Sequence, residues 1–97
     1  MLFGKGCHFK GYALHFYYQV SNQRRVGFAV PKRLGKAPVR NRYKRWMREI
    51  YRHRRHRIGN YEMIILIKDR ARSVGHEALI REFDRFVSQR LDRRPVE

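Results

Sequence analysis

The residues best suited to chemistry in this chain are arginines and an asparagine, concentrated between Ala37 and Ile50. At 3.6 residues per turn, a helix here lines Arg40, Lys44, Arg48 and Arg55 along one side, with Asn41, Arg45 and Arg52 beside them. Val39, Tyr43, Trp46, Met47 and Ile50 fall on the other side. A guanidinium offers a planar fork of donors that meets a phosphate or a base edge bidentately, which an ammonium does not. An amide among arginines both donates and accepts, which a bare charge field does not need. The chemistry implied is recognition of a structured polyanion by one face, with the other seated on a core. Trp46, on the apolar side, is expected as a core anchor rather than a base-stacking residue.

The usual ingredients of a protein active site do not assemble. Asp69, Glu77, Glu82, Asp84 and Asp92 are scattered over a loop and the last helix, interleaved with Arg81, Arg85 and Arg90. Salt bridging on a helix surface accounts for them. Ser73 and Ser88 lie in no nucleophile motif. His53 and His56 are three apart on the helix, but no third ligand follows at a metal-binding spacing, and Cys7-His8 is weaker still. No catalytic side chain and no protein metal site are therefore expected.

Charge distribution supports the polyanion. The 97 residues carry a net charge of +16, and the stretch from Arg24 to Arg57 holds fourteen Lys or Arg against one acid, Glu49. A solvated helical face normally mixes both signs, so this imbalance reads as an electrostatic footprint for nucleic acid. An anionic membrane or an acidic protein surface is the lesser alternative. With 42% hydrophobic and 13% aromatic residues the chain has enough apolar surface to fold. Its length suits one domain, taken as residues 1–97 with 93–97 a frayed tail. The start lacks the pattern of a secretory signal, no apolar run could cross a bilayer, and Cys7 is alone. Together these point to the cytoplasm, with no membrane partner and no small-molecule substrate.

The elements that must position the basic face follow from periodicity. Tyr12 to Val20 alternates as a strand, with Leu14, Phe16, Tyr18 and Val20 on one face and Ala13, His15, Tyr17 and Gln19 on the other. Ser21-Asn22-Gln23 supplies a turn, and Arg25 to Pro31 returns as a second strand. Val26, Phe28 and Val30 share its greasy face, leaving Gly27 and Ala29 on a shallow open face next to His15 and Tyr17. Pro38 suits a helix start, and Gly59-Asn60 closes a helix running to about His53 or His56. Met63 to Ile67 is continuously apolar and reads as a central strand buried on both faces. His76 to Leu91 places Leu79, Phe83, Phe86 and Val87 at helical spacing, capped by Ser73 or Gly75. Strand, strand, helix, strand, helix is an α+β arrangement, a small two-layer α/β sandwich. Aromatics on an open sheet face, here Tyr17 and Phe3, are equally well read as stacking platforms for single strands or as ordinary surface.

The run from Phe28 to Glu49, FAVPKRLGKAPVRNRYKRWMRE, resembles the signature of the bacterial ribonuclease P protein subunit. The resemblance lies in a strand ending in a basic pair, a Gly-Lys-Ala connection, and an Arg-Asn-Arg-x-Lys-Arg-x-x-Arg helix. Lys5-Gly6, Arg25-Val26-Gly27 and the Ile-rich strand extend it over nearly the whole chain. It implies a ribosomal protein S5 domain 2-like fold with a left-handed strand-helix-strand crossover, against the general right-handed expectation. It also implies a partnership with a catalytic RNA that removes the 5′ leader of precursor tRNA as an endoribonuclease, the chemistry falling to RNA and Mg²⁺. Arg40, Asn41, Arg42, Lys44, Arg45, Arg48 and Arg52, with Lys32 and Arg33, would contact the RNA. Phe3, His15, Tyr17 and Ala29 would line a cleft for the leader. The family usually carries a further helix ahead of Phe3, and that helix is expected to be missing here, through a late start or a shortened form. Two rival readings stand beside this one: a structural ribosomal-type RNA-binding protein, and a DNA-binding protein using the same helix in the major groove.

Overall fold

The computed structural model describes residues 6–91. Phe3, Asp92, the segment before Phe3 and the tail 93–97 lie outside the described residues. The order is β1 (Cys7–Lys10), β2 (Leu14–Val20), β3 (Arg25–Ala29), α1 (Ala37–Arg54), β4 (Tyr61–Ile67) and α2 (His76–Phe86). Short 3-10 turns cover Lys32–Leu34, Arg55–Arg57 and Asp69–Ser73, and a π turn, Val87–Leu91, extends α2. The four strands form one sheet in the order β1-β2-β4-β3.

Two features of this sheet depart from the sequence reading. First, β1 was not anticipated: it pairs antiparallel with β2, setting His8 opposite Tyr17 and Lys10 opposite His15. Second, β2 and β3 are not neighbours. β4 lies between them, antiparallel to β2 and parallel to β3. The segment β3-α1-β4 is therefore a crossover unit, since parallel neighbours need a long connection.

The inner face of the sheet is apolar and faces the helices. Leu14, Phe16, Met63, Ile65 and Ile67 are buried there, with Phe9, Val26 and Phe28 at the edges of the same cluster. From α2, Phe86 stacks on Phe16 with centroids 4.0 Å apart, and Phe83 meets Phe16 edge-on at 5.6 Å. Met47, Ile50 and Tyr51 seat α1 on the same core. Trp46 is a core-edge anchor as expected: half-buried, it meets Tyr43 edge-on at 5.2 Å and tilts against His76 at 4.8 Å.

The helix boundaries follow local rules. Pro38 sits in the first turn of α1, where a missing N–H costs nothing, and Gly59 at φ 73° closes the turn beyond it. Gly35 precedes α1 at φ 150°, and a Cβ there would meet Val39 side-chain carbons at 3.0 Å. That turn therefore demands glycine. Gly75, rather than Ser73, holds the N-cap position of α2, since the Ser73 hydroxyl donates to the Arg70 carbonyl at 2.8 Å.

Two acids expected as surface salt bridges act across the fold instead. Glu82 is 7% exposed, and its carboxylate accepts the backbone N–H groups of Ala13 at 2.9 Å and Leu14 at 3.0 Å. Asp84 accepts a two-point contact from half-buried Arg54, tying α2 to the end of α1. The arginine-rich pattern around Glu82 suggested an exposed face, but its spacing of three from Leu79 and four from Phe86 along the helix turns it inward.

Candidate nucleic-acid interface

Two leftover surfaces carry the expected binding residues that the structure describes. One is the outer face of α1. Asn41, Arg42, Arg45, Arg48 and Arg52 are exposed along it, while Lys44 is half-buried. Arg40 is drawn further in than its helical position suggests, because its Nε donates to the Gly35 carbonyl at 3.1 Å. Arg42 also lies over the Trp46 ring, 5.8 Å from its centroid. Arg52 is paired with Glu49 at 2.9 Å, which removes part of its charge from the outside. The first turn of α1 contains no acid and is flanked by Lys36 and Arg40. The positive end of the helix dipole thus goes uncompensated, and an approaching anion is favoured there.

The other surface is the open face of the sheet. Its register sets three rows: Lys10, His15, Leu66 and Ala29; His8, Tyr17, Ile64 and Gly27; and Gln19, Glu62 and Arg25. The predicted cleft residues His15, Tyr17 and Ala29 do share this face and are half-buried. They are not adjacent across the sheet, however, because Ile64 and Leu66 of β4 stand between Tyr17 and Gly27 and between His15 and Ala29. β4 is accordingly buried on one face and half-covered on the other, correcting the expectation of burial on both. His15 stacks on Tyr17 with centroids 4.4 Å apart and planes at 17°. Partial burial, with added repulsion from Lys68, His8 and Lys10, pushes the His15 imidazole below its usual 6.5. At the far side of the fold, burial raises the Tyr51 phenol against the opposing pull of Arg24 and Arg55.

A pocket of about 320 Å³ lies at the end of this face, lined by Pro31, Arg33, Leu66, Lys68, Asp69 and Arg70. It joins Leu66 of the open face to Arg33 of the basic loop, and that loop leads through exposed Lys32 and Lys36 into α1. Arg33 is exposed and paired with Asp69 at 3.5 Å. The two leftover surfaces are thus continuous by way of the loop.

His8, Lys10, Ile64, Leu66 and Lys68 belong to the open face but escaped the sequence reading. A four-residue strand is too short for alternation to announce it. A continuous Ile run hides which of its members face out. His53 and His56 are exposed, His53 lying 3.6 Å from Glu49, and among the described residues no group of three His, Cys, Asp or Glu could hold a metal.

Comparison with known proteins supplies the family. The ribonuclease P family model matches residues 1–90. The ribonuclease P protein component of Vibrio parahaemolyticus is 39% identical over 70 residues, covering 71% of this chain and 58% of the relative. That of Dictyoglomus thermophilum is 47% identical over 49 residues, covering 50% of this chain and 41% of the relative. The chain spans about half the length of the curated relatives it matches. Among solved structures, the Staphylococcus aureus RNase P protein superposes with a TM-score of 0.79 at 22% identity, covering 87% of this chain and 80% of the other. The Thermotoga maritima RNase P protein, solved with 1-(4-fluorophenyl)-2-thiourea, also gives 0.79 at 20% identity, covering 91% and 89%. These likenesses establish a shared fold, and the family match over residues 1–90 goes further: the chain belongs to the ribonuclease P protein family.

Proposed function

We propose that this chain is the protein subunit of a cytoplasmic ribonuclease P, binding the catalytic RNA through α1 and the 5′ leader of precursor tRNA through the open sheet face. The observation that carries the proposal is the exposed ordered set Asn41, Arg42, Arg45 and Arg48 on a member of this family. The outer face of α1 meets RNA phosphates, while the rows around Tyr17 and His15 offer stacking and backbone contact that tolerate varied leader sequences. The protein's part is to position precursor tRNA and to screen phosphate charge.

The donor set bears on where Mg²⁺ would sit. Each described carboxylate is engaged: Glu49 by Arg52, Glu62 by Gln19, Asp69 by Arg33, Glu77 by Arg81, Glu82 by backbone and Asp84 by Arg54. Mg²⁺ requires a near-octahedral set of oxygens, and these scattered, partnered groups do not provide one. The described side chains therefore do not fit a Mg²⁺ site of their own, and metal-dependent hydrolysis is assigned to the RNA.

The test is cleavage of precursor tRNA by a bacterial ribonuclease P RNA at low Mg²⁺, with and without this chain. Stimulation is expected. Its absence, where a known subunit stimulates, rejects the proposal. Within the same assay, Tyr17→Ala should raise the KM for leader-bearing precursor about tenfold, as expected from losing about 1–3 kcal/mol of stacking, while mature tRNA binding changes little. Equal losses for both would remove Tyr17 from the leader cleft.

A further inference from the structure

One group of side chains on the open face makes a polar contact that stacking alone does not use. His8 Nδ1 and His15 Nε2 face each other across β1 and β2 at 3.3 Å, a hydrogen bond that needs one nitrogen as donor and the other as acceptor. Both rings adjoin Tyr17, His15 stacked at 4.4 Å and His8 tilted at 6.1 Å. Lys10 stands opposite His15 in the register, and Lys68 follows β4 close enough for its charge to act on His15. Facing imidazole nitrogens at this distance could also flank a transition-metal ion. Here the two lysines repel a cation, and no third ligand accompanies the pair among the described residues. An anion fits the surroundings better.

We propose that His8, His15, Lys10 and Lys68 form a proton-linked phosphate site beside Tyr17, in which a single-stranded nucleotide stacks on the tyrosine and its backbone phosphate engages the imidazole pair. It rests on the open-face reading given above and specifies how that face holds a phosphate. Without ligand, burial and the neighbouring cations disfavour the charged form of His15. A bound phosphate reverses the sign of the local field and favours the imidazolium. The hydrogen bond between the rings then gives way to N–H donation from each ring to phosphate oxygen. Binding takes up a proton, and by linkage a lower pH strengthens binding.

The other charged and titratable groups of this face do not substitute for the pair. Glu62 accepts from Gln19 at 3.4 Å and stands opposite Arg25, two register rows from His15. Beyond Leu66, Asp69 is held by Arg33, and Arg70 lies over Tyr12.

Calorimetry of the full chain with oligouridylate, whose bases do not titrate between about pH 5.5 and 8, tests the site. Affinity should rise about tenfold from pH 8 to pH 5.5, the effect of roughly one unit of pKa displacement on binding. Repeating the titration in buffers of different ionisation enthalpy should reveal proton uptake. His53, His56 and His76 lie elsewhere in the fold, and the comparison with variants isolates the pair. His8→Gln, on the exposed edge strand, should lose part of the uptake, and His8→Gln with His15→Asn most of it. Equal uptake by native and doubly substituted protein would overturn the site. So would an NMR titration of native protein in which the His15 ring keeps the same pKa with and without oligouridylate. Stimulated precursor cleavage alongside pH-independent oligouridylate binding would strike this site alone. Proton-linked binding without stimulated cleavage would strike only the ribonuclease P assignment.

Discussion

Replacing Arg45 and Arg48 together by Ala should weaken binding to ribonuclease P RNA by on the order of tenfold per residue, and should flatten its salt dependence. Both side chains are exposed on α1 and outside its ion pairs. A charge-assisted hydrogen bond to phosphate contributes about 1.5–3 kcal/mol, so the loss per contact is about tenfold or more. Each phosphate contact also releases condensed counterions, contributing about 0.9 to the slope of log K against log salt on a duplex. Removing two should make the slope shallower by about 1.8. The fold should not suffer, since Ala is the better helix former and neither residue packs in the core. Arg52→Ala should have a smaller effect, because Glu49 already offsets its charge at 2.9 Å. Filter-binding measurements between low and moderate salt decide the matter. An unchanged slope in the double variant would mean that the outer face of α1 is not the footprint.

What made this face readable in advance is its length. The eighteen residues of α1 give several turns over which charged and apolar positions separate, with Pro38 and Gly59 marking the ends. The alternation of β2 was likewise long enough to assign His15 and Tyr17 to one face and Leu14 and Phe16 to the other. Strand order was not readable, because the insertion of β4 between β2 and β3 is decided by long-range pairing rather than by any local pattern. Ser21-Asn22-Gln23 suggested a hairpin, yet Ser21 donates its N–H to the Asn60 carbonyl ahead of β4. The same cause hid Ile64 and Leu66 from the open face. The role of Glu82 was hidden too, since its partners Ala13 and Leu14 lie nearly seventy residues away in the chain.

Glu82 leads to the largest effect expected on stability. Its carboxylate reaches from α2 to the turn between β1 and β2, where Gly11 donates its N–H to the Leu14 carbonyl at 2.7 Å. Lys68 secures the same turn, its Nζ donating to the Gly11 carbonyl at 2.9 Å and its N–H to Ala13 at 2.8 Å. Glu82→Ala leaves two N–H groups at buried residues without their acceptor and should cost about 3 kcal/mol, or roughly 15 °C in Tm for a domain of this size. Gly11 makes the clamp possible: a Cβ there would lie 2.3 Å from Glu82 Oε1. An exposed carboxylate could swing aside cheaply, but this one would have to give up both backbone hydrogen bonds. Gly11→Ala should therefore destabilise by about 2 kcal/mol. With Glu82 already replaced by Ala, the obstructing oxygen is gone and most of that penalty should vanish. Urea denaturation of the four proteins of this cycle should give a coupling of about 1.5 kcal/mol or more. Additive effects would mean that Gly11 is needed for its backbone alone and not for room beside the carboxylate. The clamp also bears on the cleft, because this turn sets the β1–β2 register that brings His8 and Lys10 alongside Tyr17 and His15. Loss of Glu82 should thus weaken oligonucleotide binding on a face the side chain never touches.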